Sequence, residues 1–205
     1  MEPEVRAQLL SCLRNAQRIG AVGPGSLDDQ LTQSLGYAEG PTCGLAGRVV
    51  DLGSGGGLPA LPLACTWPDS TWLLIESWTR RAALLRRFVR ELALGSRVAV
   101  TSERAELVGH GPERGKADVV TARSFGPAAV TLECAAPLLA RGGRVLISVR
   151  ASEPPWSTKG LDAVGLALET EWRIDRYAYR SLLSIGSCPA DFPRRPGVPE
   201  RFPLF

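Results

Sequence analysis

Apolar residues near the start of the chain recur at intervals of three and four, the period of an amphipathic helix. The members of this face are Val5, Leu9, Cys12, Leu13, Ala16 and Ile19. Glycine and proline at 23–25 interrupt the pattern, and Ser26 with Asp29 resembles a capping box that starts a second helix. The inner face of that helix is formed by Leu27, Leu31, Leu35 and Ala38. We therefore assign residues 1–40 to N-terminal helices.

From residue 48 onward, short apolar runs alternate with stretches of helical period. The predicted strands are Arg48–Asp51, Thr71–Glu76, Arg97–Ser102, Asp118–Ala122, Arg144–Val149 and Tyr179–Gly186. Helices are predicted at about Leu58–Trp67, at Thr79 to about Leu94 with Thr79 as its cap, and near Ala128–Ala140. Strands separated by helices favour an α/β fold with a mostly parallel central sheet and helices on both faces. With no internal repeat and no linker, we predict one domain over residues 1–205, ending in a proline-rich tail at 188–205.

The composition is that of a globular domain: 205 residues, 44% hydrophobic and 22% charged, with a formal net charge of +3. No apolar run approaches the roughly 20 residues of a membrane span. Charges are scattered through the N-terminal segment, which argues against a secretory signal. We therefore expect a cytoplasmic protein that does not bind a membrane.

Cysteine and histidine usage argues against a metal site and against a disulfide framework. There is a single histidine, and the five cysteines form no C-x-x-C pair: Cys12, Cys43, Cys65, Cys134 and Cys188. We expect these cysteines to be small buried apolar residues and expect no metal.

The most informative stretch is a glycine-rich turn that follows the first predicted strand. A dinucleotide fingerprint would require glycine at position 58, where this chain has Leu58. The spacing present, D-x-G-x-G-x-G, instead resembles the first motif of class I methyltransferases. Such a turn would wrap the amino-acid part of a methyl donor, and its candidate contacts are Asp51, Gly53, Ser54, Gly55, Gly57 and Leu58.

Two further positions extend this candidate donor site. Glu76 ends the second predicted strand, 19 residues after Gly57, where an acidic residue commonly accepts hydrogen bonds from ribose hydroxyls. Ala105 and Glu106 follow the third strand, where the adenine would rest. From spacing alone, a solvated charged loop is an equally good interpretation of this last segment.

From residue 23 to residue 204 the chain resembles the small-subunit rRNA methyltransferase G family, also called glucose-inhibited division protein B. The matching stretches, in order, are Gly23-Pro24, Gln33–Leu35, Asp51–Pro59, Glu76-Ser77, Arg80-Arg81, Leu84–Arg86, Glu103–Glu106, Val119–Arg123, Gly142-Gly143 and Phe192–Pro199. The resemblance implies a class I, Rossmann-like fold and S-adenosylmethionine as the methyl donor. It also implies that the N7 of a guanine in 16S rRNA is methylated, with the rRNA or the small ribosomal subunit as partner.

The chain departs from the family pattern at three places. Glu76 stands where the family usually has Asp, an N-terminal Asn-Leu-Thr segment is missing, and Ser148-Val149-Arg150 replaces a Leu-Lys-Gly run. Two alternatives therefore stay open: a related methyltransferase for a small metabolite, and a donor-binding protein without an acceptor site.

The acceptor chemistry needs no proton removed, because guanine N7 has a free lone pair; alignment with the methyl group is what matters. Arg123 follows the fourth strand, where open α/β sheets bind ligands. We expect it to be the catalytic residue, which also contacts the donor and holds guanine O6 or a phosphate. Phe125 is either a stacking platform for a flipped base or a core residue.

Arginine dominates the basic residues, since only Lys116 and Lys159 among the 24 are lysines. Arginine suits phosphate recognition, although a GC-rich genome explains the excess equally well. The predicted contacts to the RNA substrate are Arg80, Arg81, Arg150, Arg194 and Arg195. The arginines on the outer face of the helix from Thr79 fit either a solvated surface or one that lies along phosphates.

Overall fold

The computed structural model describes residues 1–42 and 46–205, and the prediction for Cys43 falls outside them. Within this part of the chain one sheet has the strand order β3-β2-β1-β4-β5-β7-β6. Its strands are β1 (Arg48–Leu52), β2 (Thr71–Ile75), β3 (Val98–Thr101), β4 (Ala117–Ala122), β5 (Leu139–Val149), β6 (Leu166–Ile174) and β7 (Tyr177–Ser184). The first five strands pair in parallel, whereas β7 is antiparallel to both β5 and β6. The predicted mostly parallel α/β fold is confirmed.

Helices cover both faces of the sheet because alternate strand residues point to opposite sides. They are α1 (Pro3–Arg18), α2 (Leu27–Leu35), α3 (Ala60–Thr66), α4 (Thr79–Glu91), α5 (Ala105–His110), α6 (Ala128–Ala135), α7 (Thr158–Ala163) and α8 (Val198–Arg201). Val49 faces a core formed with α1, α3 and α4, whereas Val50 faces a second core that includes residues of α5 and α6. The described cysteines are free, and Cys12 and Cys134 are buried.

The N-terminal helices form where the pattern predicted them. Residues Leu9 and Leu13 of α1 are fully buried in the first core, and Ile19 lies just outside the helix at 53% exposure. The side chain of Ser26 accepts a hydrogen bond from the backbone N–H of Asp29 at 3.4 Å, which confirms the cap of α2. These helices lie on the face of the sheet that also carries α3 and α4.

The structure differs from the prediction at the cap of α4 and at one strand, and it decides the conformation of the segment after β3. Thr79 begins α4 but does not cap it; the N-cap is Trp78, which gives no side-chain hydrogen bond. Strand β6 was missed because it is a mostly exposed edge strand, with glutamate and threonine at its centre and an apolar run of only three residues at its start. The segment after β3, considered a possible loop, forms helix α5 from Ala105.

Candidate functional site

The candidate site lies at the carboxyl ends of the parallel strands. Strand β1 is hydrogen-bonded to β2 on one side and to β4 on the other. The chain continues from β1 to β2 and β3 on one side, and then crosses to β4 and β5 on the other side of β1. In open α/β sheets this switch point creates a crevice in which ligands bind. The glycine turn, Glu76 and Arg123 follow β1, β2 and β4 respectively, so the fold brings them to one edge.

The glycine turn adopts a backbone conformation that side chains resist. Gly53, Gly55 and Gly57 have φ values of +63°, +54° and +99°. A Cβ on Gly53 would lie 2.7 Å from the ring of Phe125, and one on Gly57 would clash with the side chain of Leu61. Glycine is therefore needed both for the left-handed turn and for the close packing around it.

Asp51 is a fully buried carboxylate that is only partly satisfied. Its Oδ1 accepts a hydrogen bond from Thr121 Oγ1 at 2.6 Å, and its Oδ2 has no partner among the described residues. Burial raises the pKa of this carboxyl from 3.8 to about 7. A buried acceptor without a partner is costly, so the site fits a ligand that supplies a cationic N–H group, such as the amino group of a methyl donor.

Glu76 is held against the glycine turn. Its Oε2 accepts the backbone N–H of Gly55 at 2.9 Å, and its Oε1 accepts that of Trp78 at 2.8 Å. The side chain is 5% exposed. Each carboxylate oxygen retains capacity for another hydrogen bond, so Glu76 can still accept ribose hydroxyls.

The remaining predicted donor contacts are engaged within the protein through their side chains. Ser54 donates its hydroxyl to the Asp51 carbonyl at 3.2 Å, and Leu58 packs in the first core. Ala105 is buried at the start of α5. The buried carboxylate of Glu106 pairs with Arg104 at 2.6 Å. Donor contacts at these positions stay predictions.

Arg123 ends β4 as expected, but its side chain packs against α2. Its Nη2 donates to Gln30 Oε1 at 2.8 Å, and its Nη1 donates to Ser34 Oγ at 3.3 Å. Burial lowers the pKa of the guanidinium. The bonds to Gln30 and Ser34 hold the side chain against α2, a contact that no local pattern reveals. Its expected contacts to the donor and to guanine O6 or a phosphate stay predictions.

A cavity of about 610 Å³ opens beside the end of β4 and β5. Its lining includes Phe125, Thr131, Ser148, Arg150, Glu153 and Trp156. Phe125 is half-buried and touches both this cavity and the space above Gly53, so it joins the glycine turn to the cavity. Arg150 is exposed and contributes to the cavity wall.

The predicted substrate arginines are not brought together in one place. Arg80 is exposed on α4, and the guanidinium of Arg81 lies 4.6 Å from the centroid of Trp78, which is itself 65% exposed. Strands β1 and β4 separate this region from Arg150 after β5.

Arg194 in the tail is occupied by a buried ion pair. It donates from Nε and Nη2 to the two carboxylate oxygens of Glu133 on α6, at 2.8 and 2.6 Å. Its expected substrate role is therefore not supported by this geometry, because the charge is already neutralised. Neighbouring Arg195 is exposed and has no ion pair within residues 1–42 and 46–205.

Tyr37 is a structural residue beside the site that no sequence pattern indicated. Its hydroxyl donates to the Ala122 carbonyl at 2.8 Å and accepts from the Ser148 N–H at 3.0 Å. It therefore ties the ends of β4 and β5 together beside the cavity. A fully buried tyrosine in a short 3₁₀ turn has no periodic pattern that would mark it.

Two kinds of feature are absent from the described residues, a membrane-spanning helix and a metal-binding cluster. No helix in that part of the chain is long and apolar enough to cross a membrane. No group of three or more histidine, cysteine, aspartate or glutamate side chains there is arranged to hold a metal ion.

Comparison with known proteins identifies a family and relatives that are similar to this chain in sequence. Residues 27–154 match the family described as rRNA small subunit methyltransferase G. The chain is 38% identical over 168 residues to the ribosomal RNA small subunit methyltransferase G of Prochlorococcus marinus strain MIT 9313, covering 77% of this chain and 68% of that protein. It is 35% identical over 167 residues to the enzyme of the same name from Carboxydothermus hydrogenoformans, covering 77% and 71%.

Two solved structures with a similar fold are named putative methyltransferases, and both have low sequence identity to this chain. A putative O-methyltransferase from Klebsiella pneumoniae superposes with a TM-score of 0.64 at 15% identity, covering 91% of each chain. The putative methyltransferase yhhF from Escherichia coli gives 0.57 at 16% identity, covering 80% of this chain and 88% of that one. These similarities confirm the class I methyltransferase fold.

Proposed function

The chain belongs to the rRNA small subunit methyltransferase G family, a family of S-adenosylmethionine-dependent methyltransferases, and we propose that its acceptor is the N7 of a guanine in 16S rRNA. One observation carries the proposal: Phe125 contacts the glycine turn of the donor site and also lines a cavity of about 610 Å³. A donor held at the turn and a base held in the cavity would meet at this side chain.

S-adenosylmethionine supplies a methyl group attached to a positively charged sulfur. In the proposed assignment, Asp51 Oδ2, which has no partner among the described residues, accepts from the donor's amino group, and Glu76 accepts from its ribose hydroxyls. Gly53, Gly55 and Gly57 let the backbone approach the donor closely. Contacts from Ser54, Leu58, Ala105 and Glu106 complete the proposed donor site.

The reaction requires orientation more than proton transfer. The lone pair of guanine N7 forms the new bond to the methyl carbon, and the electron pair of the broken carbon–sulfur bond returns to sulfur. The positive charge thereby moves from sulfur to the purine, and no proton is lost. Alignment of the two reactants can supply most of the acceleration, so a general base is not needed.

Arginines near the cavity and on the outer surface are proposed to position and bind the RNA acceptor. Arg123 is proposed as the residue that holds α2 beside the end of β4, through Gln30 and Ser34, and so fixes the base and donor relative to each other. Arg150 at the cavity wall, with Arg80, Arg81 and Arg195, is proposed to contact phosphates of the rRNA.

Transfer of a radiolabelled methyl group tests this proposal against the metabolite alternative. Unmethylated 16S rRNA, free or in small subunits, should become labelled, and a protein-free metabolite extract should not. Acceptor affinity should fall steeply between 50 and 200 mM salt, because arginines that meet phosphates release counterions. Labelling of the metabolite extract alone would contradict the proposal.

A further inference from the structure

Two arginines hold the segment after β5, residues 150–156, to the sheet: exposed Arg173 on β6 donates to the Ala151 carbonyl at 3.1 Å, and buried Arg180 holds the part that contains Glu153. Arg180 on β7 is 4% exposed and donates from Nη2 to the Glu153 carbonyl at 2.9 Å and from Nη1 to the Pro154 carbonyl at 3.0 Å. Its Nε donates to the Glu171 carboxylate at 2.5 Å, and its guanidinium carbon lies 4.3 Å from the Trp156 ring centroid. The two hydrogen bonds to backbone carbonyls and the stacking on Trp156 fix the path of residues 153–156, and the bond to Glu171 holds the guanidinium in place.

The same segment places a carboxylate in the cavity wall. Glu153 and Trp156 both line the cavity, and the indole N–H of Trp156 donates to Glu153 Oε1 at 3.1 Å. The other oxygen, Oε2, accepts no hydrogen bond from the described residues. The carboxylate is thus oriented by the protein while keeping capacity for a ligand.

The strand order places Glu153 far from the donor side of the cavity. Proceeding from the glycine turn after β1, the sheet edge passes β4 with Phe125, then β5, then the segment that Arg180 holds on β7. In a guanine the N1–H and the N2 amino group lie on the opposite side of the purine from N7. A guanine with N7 toward the glycine turn therefore presents N1–H and the amino group toward the wall that carries Glu153.

We propose that Glu153 is the specificity-determining residue of the acceptor site, accepting hydrogen bonds from guanine N1–H and N2, and that Arg180 is the positioning residue that holds it there. This inference rests on the proposed function, since it takes guanine N7 as the acceptor. Adenine presents no N–H donors in this arrangement and is rejected. Methylation also leaves a positive charge on the purine, which a nearby carboxylate stabilises more strongly in the transition state than in the ground state.

The decisive experiment changes the base and the carboxylate together. Once the methylated position is mapped, 16S rRNA is ligated from segments carrying either guanosine or inosine there, inosine lacking only the N2 amino group. The intact protein should lose about tenfold or more in kcat/KM on inosine, as expected for a hydrogen bond to a charged group. Glu153→Gln should lower kcat on guanosine and should lose most of the discrimination between the two bases.

Matched variants separate recognition from folding. Asp162→Asn removes a charge at an exposed position of α7, outside the cavity lining, and should behave like the intact protein. Arg180→Lys keeps the charge but not the planar contacts, and should weaken discrimination while the Kd for S-adenosylhomocysteine stays within about twofold.

The outcomes distinguish this inference from the function on which it rests. Absence of N7-methylguanosine in the products of the intact protein contradicts the proposed function itself. Efficient methylation of guanosine, with equal kcat/KM on inosine or with full discrimination retained by Glu153→Gln, leaves that function standing and overturns the role of Glu153.

Discussion

Replacing Arg194 by alanine should destabilise the protein without directly removing an RNA contact. The Glu133 side chain is fully buried, and it receives two hydrogen bonds from the Arg194 guanidinium and one from the Arg194 backbone N–H at 2.9 Å. Truncation leaves a buried carboxylate with the backbone bond alone. Such a loss typically costs about 3–5 kcal/mol, and we take about 3 because the arginine side chain is 27% exposed.

Calorimetry measures the expected change directly. For a domain of this size about 3 kcal/mol corresponds to a fall in Tm of roughly 6–12 °C. Arg195→Ala is the matched control, since Arg195 is exposed, and its Tm should stay within about 1 °C of the parent. Adding Glu133→Gln to Arg194→Ala should recover part of the loss, because the unpaired buried charge is then gone. An unchanged Tm for Arg194→Ala, together with a loss of RNA affinity, would refute this reasoning and restore the substrate role predicted from sequence.

Four further substitutions test the site. Donor affinity should tighten as pH rises through about 7, where the raised pKa of Asp51 lets its carboxylate form, and calorimetric titration of Asp51→Asn should show no such dependence. Gly53→Ala should raise the donor Kd, because its φ of +63° and the ring of Phe125 at 2.7 Å both oppose a Cβ; unchanged binding would contradict the close fit. Tyr37→Phe should lower the free energy of unfolding in urea by about 1–3 kcal/mol, since the buried Ala122 carbonyl and the partly buried Ser148 N–H lose their bonds to the hydroxyl. Arg123→Ala should lower kcat on the order of a hundredfold with little change in donor Kd, and full turnover in steady-state kinetics would remove it from the site.

The features that could be predicted from the sequence are those encoded by residues close to one another along the chain. The strands β1 to β4 are apolar runs bounded by polar or glycine residues, and the turn after β1 carries its own spacing of aspartate and glycine. Glu76 was found because it interrupts apolar character at the end of a strand, and the structure places it 2.9 Å from the Gly55 N–H. Such features depend only on residues that are neighbours along the chain, so the amino-acid sequence alone reveals them.

What the sequence could not predict depends on partners distant along the chain. Arg194 is separated from Glu133 by 61 positions and Arg123 from Gln30 by 93, so neither pairing leaves a local trace. The clamp by Arg180 on the segment after β5 is of the same kind. A charged residue that ends a strand or lies in a tail has no feature in the sequence that separates a ligand contact from a structural ion pair.

The identity of the methylated nucleoside tests the central claim most directly. After incubation with S-adenosylmethionine, previously unmethylated 16S rRNA is digested to nucleosides and analysed by mass spectrometry, with Glu76→Ala as the donor-site control. The account predicts N7-methylguanosine as the new product, formed by the intact protein and strongly reduced with the variant. A different methylated nucleoside, or no methylated nucleoside from an intact protein that binds the donor, would contradict it.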